Sequence, residues 1–296
     1  MKGKNKMLQK IMAAVTALLL WILPGGLPSA PAETPAGEEM TLTAFNVGKA
    51  DCLLLRCGEN AYLIDTAKGK HHEQIMEGLK KLGVDHLDGI LITHMDSDHV
   101  GGLKKLLKTE LRADHLYGPA YYFPEEGKKE ESPILKAAEK QNMTPEVLRP
   151  GDELPLGSGT LRVLGPLRAA TDKEDNNSLV LYAEAAGGSI LLAGDMEFPE
   201  ETDLLAAGSI PEADVLKVGN HGDGDATSPE LLRAVKPRIA VISTSTEEKA
   251  STPADRVLQD LAASGAEVYQ TQEAVWGIQV TIRDGKVTAA RMDTLP

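Results

Sequence analysis

Apolar residues in this chain come in short runs that alternate with helically spaced segments, and the order of these runs predicts the architecture. "TLTAFNV" (Thr41 to Val47), "CLLLR" (Cys52 to Arg56) and "AYLID" (Ala61 to Asp65) are patterned as strands, with "CGEN" as a turn between the last two. They predict an antiparallel opening to a sheet. "HHEQIMEGLKKLG" then spaces Ile75, Leu79 and Leu82 along one helical face and stops at Gly83, and "DGILIT" follows as a short buried strand.

A helix is expected around Gly102 to Leu107, a strand near "DHLYG", and a helix from Pro133. Between the last two lies "PAYYFPEEGKKEESP", a charged loop long enough to be a lid, in which Tyr121, Tyr122 and Phe123 could stack on a base or pack the lid. The second half returns to strands with "LRVLG", "SLVLYAEA" and "SILLAG", the latter two joined as a hairpin, then a helix after "DMEFPEE". "DVLKVGN" and "RIAVIS" read as buried strands. Ser228 with Pro229 marks a helix start, and Thr252, Pro253 and Asp255 repeat the device. Two strand-rich halves, each followed by helices, predict an α+β fold of two sheets packed face to face with helices outside.

The amino-terminal segment changes the picture. Lys2, Lys4, Lys6 and Lys10 precede an apolar run from Ile11 to Leu23, and Ala30-Pro31-Ala32 supplies small residues for cleavage. Residues 1–32 therefore read as a signal peptide, which predicts a secreted or extracytoplasmic protein. The run is shorter than the roughly 20 residues of a spanning helix, so membrane contact is expected only through an uncleaved signal. Residues 33–39 form a polar leader, and 40–296 are expected to be one domain. Loss of the four lysines lowers the basic count from 31 to 27 against 44 acids, which leaves −17. Non-specific nucleic-acid affinity comes from Lys and Arg at phosphates, so no stable nucleic-acid complex is expected from bulk charge. Cys52 and Cys57 are too far apart in an extended segment for a disulfide, and are expected to be free thiols.

Candidate chemistry is concentrated in "THMDSDHVGG", where His94, Asp96, Asp98 and His99 follow the apolar "GILI". On an extended segment His94 and Asp96 share a side, while Asp98 and His99 would open the next helix and turn back. Gathering carboxylates and imidazoles at a strand end is unfavourable unless a divalent cation offsets repulsion and desolvation.

The H-x-D-x-D-H form resembles the H-x-H-x-D-H signature of the metallo-β-lactamase fold, a four-layer αββα sandwich. With "FNVGKADCLLL", "YLIDTA", "NNSLVL", "LLAGDME", "LKVGNHG" and "SPELLRAVKPRIAVIS" in this order, it is similar to the C-terminal domain of the competence protein ComEC and its stand-alone relatives, over about Thr41 to Val280. The resemblance implies one metal at Asp98, His99 and His221, another at His94 and Asp96, and Asp195 bridging the two. Asp65 would brace the metal loop, and Asn177 or its neighbour Asn176 would hold water or a metal. Taken singly, Asp65 fits a turn, Asp195 a helix cap and His221 a loop. His71, His72, His86 and His115 lie outside these motifs and carry no assigned role.

The implied chemistry is hydrolysis by a metal-bridging hydroxide between two divalent ions, with Asp98, His94 and Asp195 as the catalytic carriers and no covalent intermediate. An aspartate at position 96 shifts the site toward harder ions, so Mn²⁺ or Zn²⁺ is expected. The implied substrate is a phosphodiester, in DNA or a surface polymer. Small-ester or lactone hydrolysis is the second reading, and a metal-binding protein with lost turnover the third. Relatives read "HHGS" where this chain has Asn220-His221-Gly222-Asp223, so Asn220 cannot donate a proton and Asp223 adds negative charge near an anionic substrate. Lys217 could neutralise a phosphate, although a strand lysine at the surface is the simpler expectation.

Overall fold

The computed structural model describes residues 37–123, 132–169 and 175–296. The expected signal peptide and most of the polar leader lie outside the described residues. So does the "PEEGKKEE" part of the expected lid.

Among the described residues, two sheets carry the fold. The first has the order β15-β14-β1-β2-β3-β4-β5-β6 and contains β1 (Glu39–Phe45), β2 (Leu53–Cys57), β3 (Asn60–Ile64), β4 (His86–Leu91), β5 (Arg112–Pro119), β6 (Glu146–Leu148), β14 (Gly277–Arg283) and β15 (Lys286–Met292). The second runs β13-β12-β11-β10-β9-β8-β7, with β7 (Glu153–Leu156), β8 (Gly159–Gly165), β9 (Val180–Ala185), β10 (Gly188–Leu192), β11 (Val215–Lys217), β12 (Ile239–Ile242) and β13 (Glu267–Gln270). In each sheet antiparallel hairpins pass into parallel strands: β1, β2 and β3 are antiparallel, whereas β3, β4, β5 and β6 are parallel. The second sheet makes the same change at β10.

Parallel neighbours need crossovers, and helices supply most of them. On the first sheet these are α1 (His72–Lys81), the single turn α2 (Leu103–Leu106) and α3 (Pro133–Glu139). On the second they are α4 (Phe198–Ala206), α5 (Pro229–Val235) and α6 (Asp255–Ser264).

Side-chain alternation divides the interior into three cores. Ile190 and Leu192 of β10 join Leu42 and Leu55 of the first sheet between the sheets, while Leu191 points outward to Leu204, Leu231 and Leu261 of α4, α5 and α6. Leu54, Leu63 and Ile90 meet Ile75, Leu103 and Ile134 of α1, α2 and α3 in the third core. Helix, sheet, sheet, helix is the αββα sandwich that the sequence predicts.

Several local expectations change. Tyr122 is buried and Phe123 nearly so, Tyr122 in the core under α3, so these two rings pack the fold and are not presented to a ligand. The start of α6 is not a second Ser-Pro cap. Its N-cap is Ala254 with no side-chain bond, Thr252 gives its carbonyl to Thr244 Oγ1, and Pro253 lies against Gly222. Ser228 does cap α5, accepting from Leu231 N. Cys52 and Cys57 are free and buried. Among the described residues no helix is long and apolar enough to cross a membrane.

The inter-sheet core carries the sandwich, and Leu55 is wholly buried within it. Leu55→Ala should cost about 2–5 kcal/mol in urea unfolding, through lost burial and a residual cavity.

Candidate metal centre

The loops after β3, β4, β10 and β11 leave the carboxyl ends of parallel strands, where crossover folds open their ligand sites. They hold Asp65, the 92–102 loop, Asp195 and His221 respectively. The arrangement does not follow the expected helix start, because Asp98 and His99 sit in turns ahead of α2: His99 N and Val100 N both donate to Asp96 O at 2.9 Å. Gly101 and Gly102 explain that shape. A Cβ on Gly101 would lie 2.2 Å from Ser97 O, and one on Gly102 would lie 2.1 Å from Thr66 O. Only glycine lets this loop fold back on itself and on the β3 loop, where Thr66 N and Oγ1 both donate to His99 O.

Three imidazoles present the same nitrogen inward. His99 Nδ1 is held by Asp65 Oδ2 at 2.7 Å, and His221 Nδ1 by Ser243 O at 2.8 Å. His94 Nδ1 lies 3.1 Å from Thr93 Oγ1 and 3.3 Å from Ser178 Oγ. With Nδ1 engaged, each Nε2 is left as the inward-facing atom. His99 Nε2 and His221 Nε2 are 3.3 Å apart, and each is 3.2 Å from Asp195 Oδ2. Asp98 Oδ2 stands 3.7 Å from His221 Nε2.

Asp65 also accepts from Thr93 N at 2.8 Å and Thr93 Oγ1 at 2.7 Å, so its carboxylate ties the ring of His99 to the start of the metal loop. It does so with a backbone in the left-handed region at φ 61°.

The donors fall into overlapping groups with all ligand atoms within 4.8 Å: Asp98, His99 and His221; His94, His99 and Asp195; His94, Asp96 and Asp175; and two that include Asp51, one with Asp195 and His221 and one with Asp65 and His99. All six expected ligands therefore meet. His94 Nε2 and Asp195 Oδ1 are among the buried atoms with no hydrogen-bond partner in the described residues, an arrangement that suits metal ligation. Burial and the neighbouring His99 push His94 down to about 3. Despite burial, Asp195 and Asp65 hold His99 well above the usual range, while His221 and His99 hold Asp195 well below it. Imidazole and carboxylate donors of this kind fit divalent cations.

Two acidic groups escaped the sequence reading. Asp175 reaches within 3.8 Å of His94 Nε2 from the turn Asp175–Asn177. Asp51, wholly buried, pairs with Lys217 Nζ at 2.8 Å beneath His221. In sequence Asp175 is one of three acids in "TDKED" with nothing to single it out, and Asp51 is a lone loop acid, although it does fall within the quoted "FNVGKAD".

The supporting residues differ from expectation in three places. Lys217 is not at the surface: it is wholly buried, its Nζ also donates to Val218 O at 2.9 Å, and Asp51 already neutralises it. Asp223 is not an unbalanced charge, because Lys249 pairs with it. Asn220 and His221 adopt left-handed backbone at φ 43° and 53°, and Asn220 Nδ2 donates to Glu197 Oε1 at 3.2 Å. Glu197 Oε2 takes Asn176 Nδ2 at 2.9 Å, so Asn176 braces a loop. Asn177 is wholly buried in the same turn. His86 and His115 pair with the surface carboxylates of Asp114 and Glu146.

Two measurements check this arrangement. Asp51→Asn should destabilise the chelator-treated protein by about 3–5 kcal/mol by stranding Lys217, and Asp51→Leu with Lys217→Met should recover most of that in denaturant titrations. Asp65→Ala should weaken metal affinity about 10–100-fold in calorimetric titration, since the orientation of His99 depends on it.

The family comparison agrees with this geometry. Residues 46–246 match the Metallo-beta-lactamase superfamily. ComE operon protein 3 of Bacillus subtilis is 31% identical over 191 residues, which is 64% of this chain and 24% of that protein. Competence protein ComA of Neisseria gonorrhoeae is 26% identical over 301 residues, 95% of this chain and 40% of that protein. The chain thus spans less than half the length of these competence relatives. Among solved structures, the metallo-beta-lactamase fold protein YhfI from Bacillus subtilis has a TM-score of 0.53 at 12% identity, covering 86% of this chain and 100% of that one. CmlA, a diiron beta-hydroxylase from Streptomyces venezuelae, has a TM-score of 0.54 at 12% identity, covering 88% and 55%. At such identities these two likenesses speak for the fold, and together with the family match they establish that this chain belongs to the metallo-β-lactamase superfamily.

Proposed function

We propose that the protein is a binuclear metal-dependent phosphodiesterase that acts on DNA outside the cytoplasm. The observation that carries this reading is the meeting of His99 Nε2 and His221 Nε2, from loops of different sheets, on one oxygen of Asp195 at 3.2 Å each. Asp98, His99 and His221 would hold one ion, His94, Asp96 and Asp175 the other, with Asp195 shared between them. Two divalent ions held there would acidify water and, by polarising the P–O bonds, make the phosphorus easier to attack. The carboxylates at positions 96, 98, 175 and 195 make the donor set oxygen-rich, which favours Mn²⁺ and still admits Zn²⁺.

The chain's own groups do the positioning. Asp65 fixes the ring of His99, and the Ser243 carbonyl fixes that of His221. Lys49 Nζ, 3.2 Å from Asp98 Oδ2, brings a cation to the rim where a substrate phosphate would lie. Asn220, tied to Glu197, holds the His221 loop and takes no part in proton transfer.

Phosphodiester chemistry draws support from the competence and recombination proteins that the chain resembles, among them Recombination protein 2 of Haemophilus influenzae, 26% identical over 170 residues, 57% of this chain and 19% of that protein. Export draws support from the lysine-led apolar segment at the amino terminus. The acidic balance of the chain favours brief contact with a polyanion over a lasting complex.

The Mn²⁺- or Zn²⁺-loaded protein should hydrolyse bis-p-nitrophenyl phosphate and single-stranded DNA and leave nitrocefin intact. His221→Ala and Asp195→Asn should each lower turnover at least about a hundred-fold. Cleavage of nitrocefin or a lactone with both phosphodiesters untouched would overturn the reading.

A further inference from the structure

One carboxylate at the rim of the metal centre occupies an anion seat. Glu248, on the loop between β12 and α6, accepts from Lys68 Nζ at 2.6 Å and Lys70 Nζ at 2.7 Å, both on the loop between β3 and α1. It also accepts from the backbone N–H of Lys49 at 3.3 Å. The carboxylate rests directly on Gly48, whose φ is 75°; a Cβ there would lie 2.7 Å from Glu248 Oε1. Two ammonium groups and a backbone N–H beside a left-handed glycine form the kind of concavity that binds phosphate oxygens.

The position of this seat matters as much as its chemistry. Lys49, whose N–H lines it, extends its side chain to Asp98 at 3.2 Å, so the seat is one lysine's length from the metal ligands. The chain carries net charge −13, yet these three lysines gather on one rim. Lys105 Nζ continues the basic surface by donating to Gly69 O at 2.8 Å. Exposed ion pairs add little to folding stability, and Lys68, Lys70 and Glu248 are all partly exposed. Although burial pushes the Glu248 carboxyl up, hydrogen bonds from Lys68 and Lys70 hold it down at about 2, so it is an anion at any working pH.

We propose that this seat is a phosphate subsite for the substrate: Gly48, the Lys49 N–H, Lys68 and Lys70 receive a phosphate next to the scissile one in a nucleotide chain, and Glu248 fills the seat at rest. The proposal rests on the phosphodiester reading of the metal centre. Substrate binding then displaces Glu248, which weakens affinity and favours chains over single phosphodiesters.

The test is fluorescence anisotropy with a short labelled oligodeoxythymidylate, on the full chain with chelator present, so that no turnover is needed. Glu248→Gln should bind about five-fold tighter or better, because it removes the competing charge and keeps the side chain's size. Lys68→Ala with Lys70→Ala should bind at least about ten-fold weaker, and should flatten the plot of log affinity against log salt by about 1.4. Lys286→Ala, on β15, should change neither quantity. Thermal midpoints of all variants should match, since these side chains are partly exposed. No gain for Glu248→Gln, or an unchanged salt slope for the double lysine variant, overturns the subsite. If these responses appear while the metal-loaded protein cleaves no phosphodiester, the reaction assignment falls, the seat's role beside a scissile phosphate falls with it, and only its binding of nucleotide-chain phosphates stands.

Discussion

The structure depends on an electrostatic conflict that the protein cannot settle with its own atoms. Three imidazoles have each committed Nδ1 to the protein, so three Nε2 atoms face a common space together with the carboxylates of Asp98 and Asp195. Burying these groups is costly: Asp195 and Asp65 favour a proton on His99, but burial and that neighbouring ring keep His94 neutral, so a proton meets only part of the conflict. Divalent cations satisfy lone pairs and charge together. The remaining features of the centre keep the donors from relaxing apart: the Asp65 brace, the Ser243 carbonyl, and the glycine pair seated on Thr66 O and Ser97 O.

The architecture brings the donors within reach. Each sheet turns from antiparallel hairpins to parallel strands, and these strand ends deliver loops to one edge. The acidic start of α4 then joins loops that are far apart in sequence. Glu197 grips Asn176 and Asn220, while Glu201 accepts from Thr227 N and from Ser228 N at the start of α5. Buried acids two and six residues beyond Asp195 therefore hold the turn that carries Asp175 and the loop that carries His221. This gives "GDMEFPEE" a structural role that its polarity alone would not suggest.

Much of this was legible in the sequence because the signals were local. Strand alternation, the helix face of Ile75 and Leu79, the Ser228 cap and the packed His-Asp loop each depend on near neighbours. Most of what stayed hidden depends on distant ones. Asp175 is one acid among three in "TDKED", and only the fold sets it beside His94. Lys217 looked like a surface lysine because a lone charge on a strand usually faces water, but β11 is covered on both faces and Asp51 meets the ammonium from the other sheet. The hairpin β14–β15 went unread although "RDGK" offers an Asp-Gly turn, realised with Asp284 at φ 49° and Gly285 at φ 74°. Pro253 resembled a helix starter because Thr252 precedes it; its place is set by packing on Gly222, beside the loop of His221.

If cations, and not protons, balance these Nε2 atoms and carboxylates, they should stay with the folded protein. Elemental analysis by mass spectrometry of the protein, loaded with Mn²⁺ or Zn²⁺ and freed of loose ions by gel filtration, tests it most directly. Two divalent ions per chain are expected, with a loss when Asp195 is changed to Asn. A fully folded chain that retains no divalent ion would contradict it.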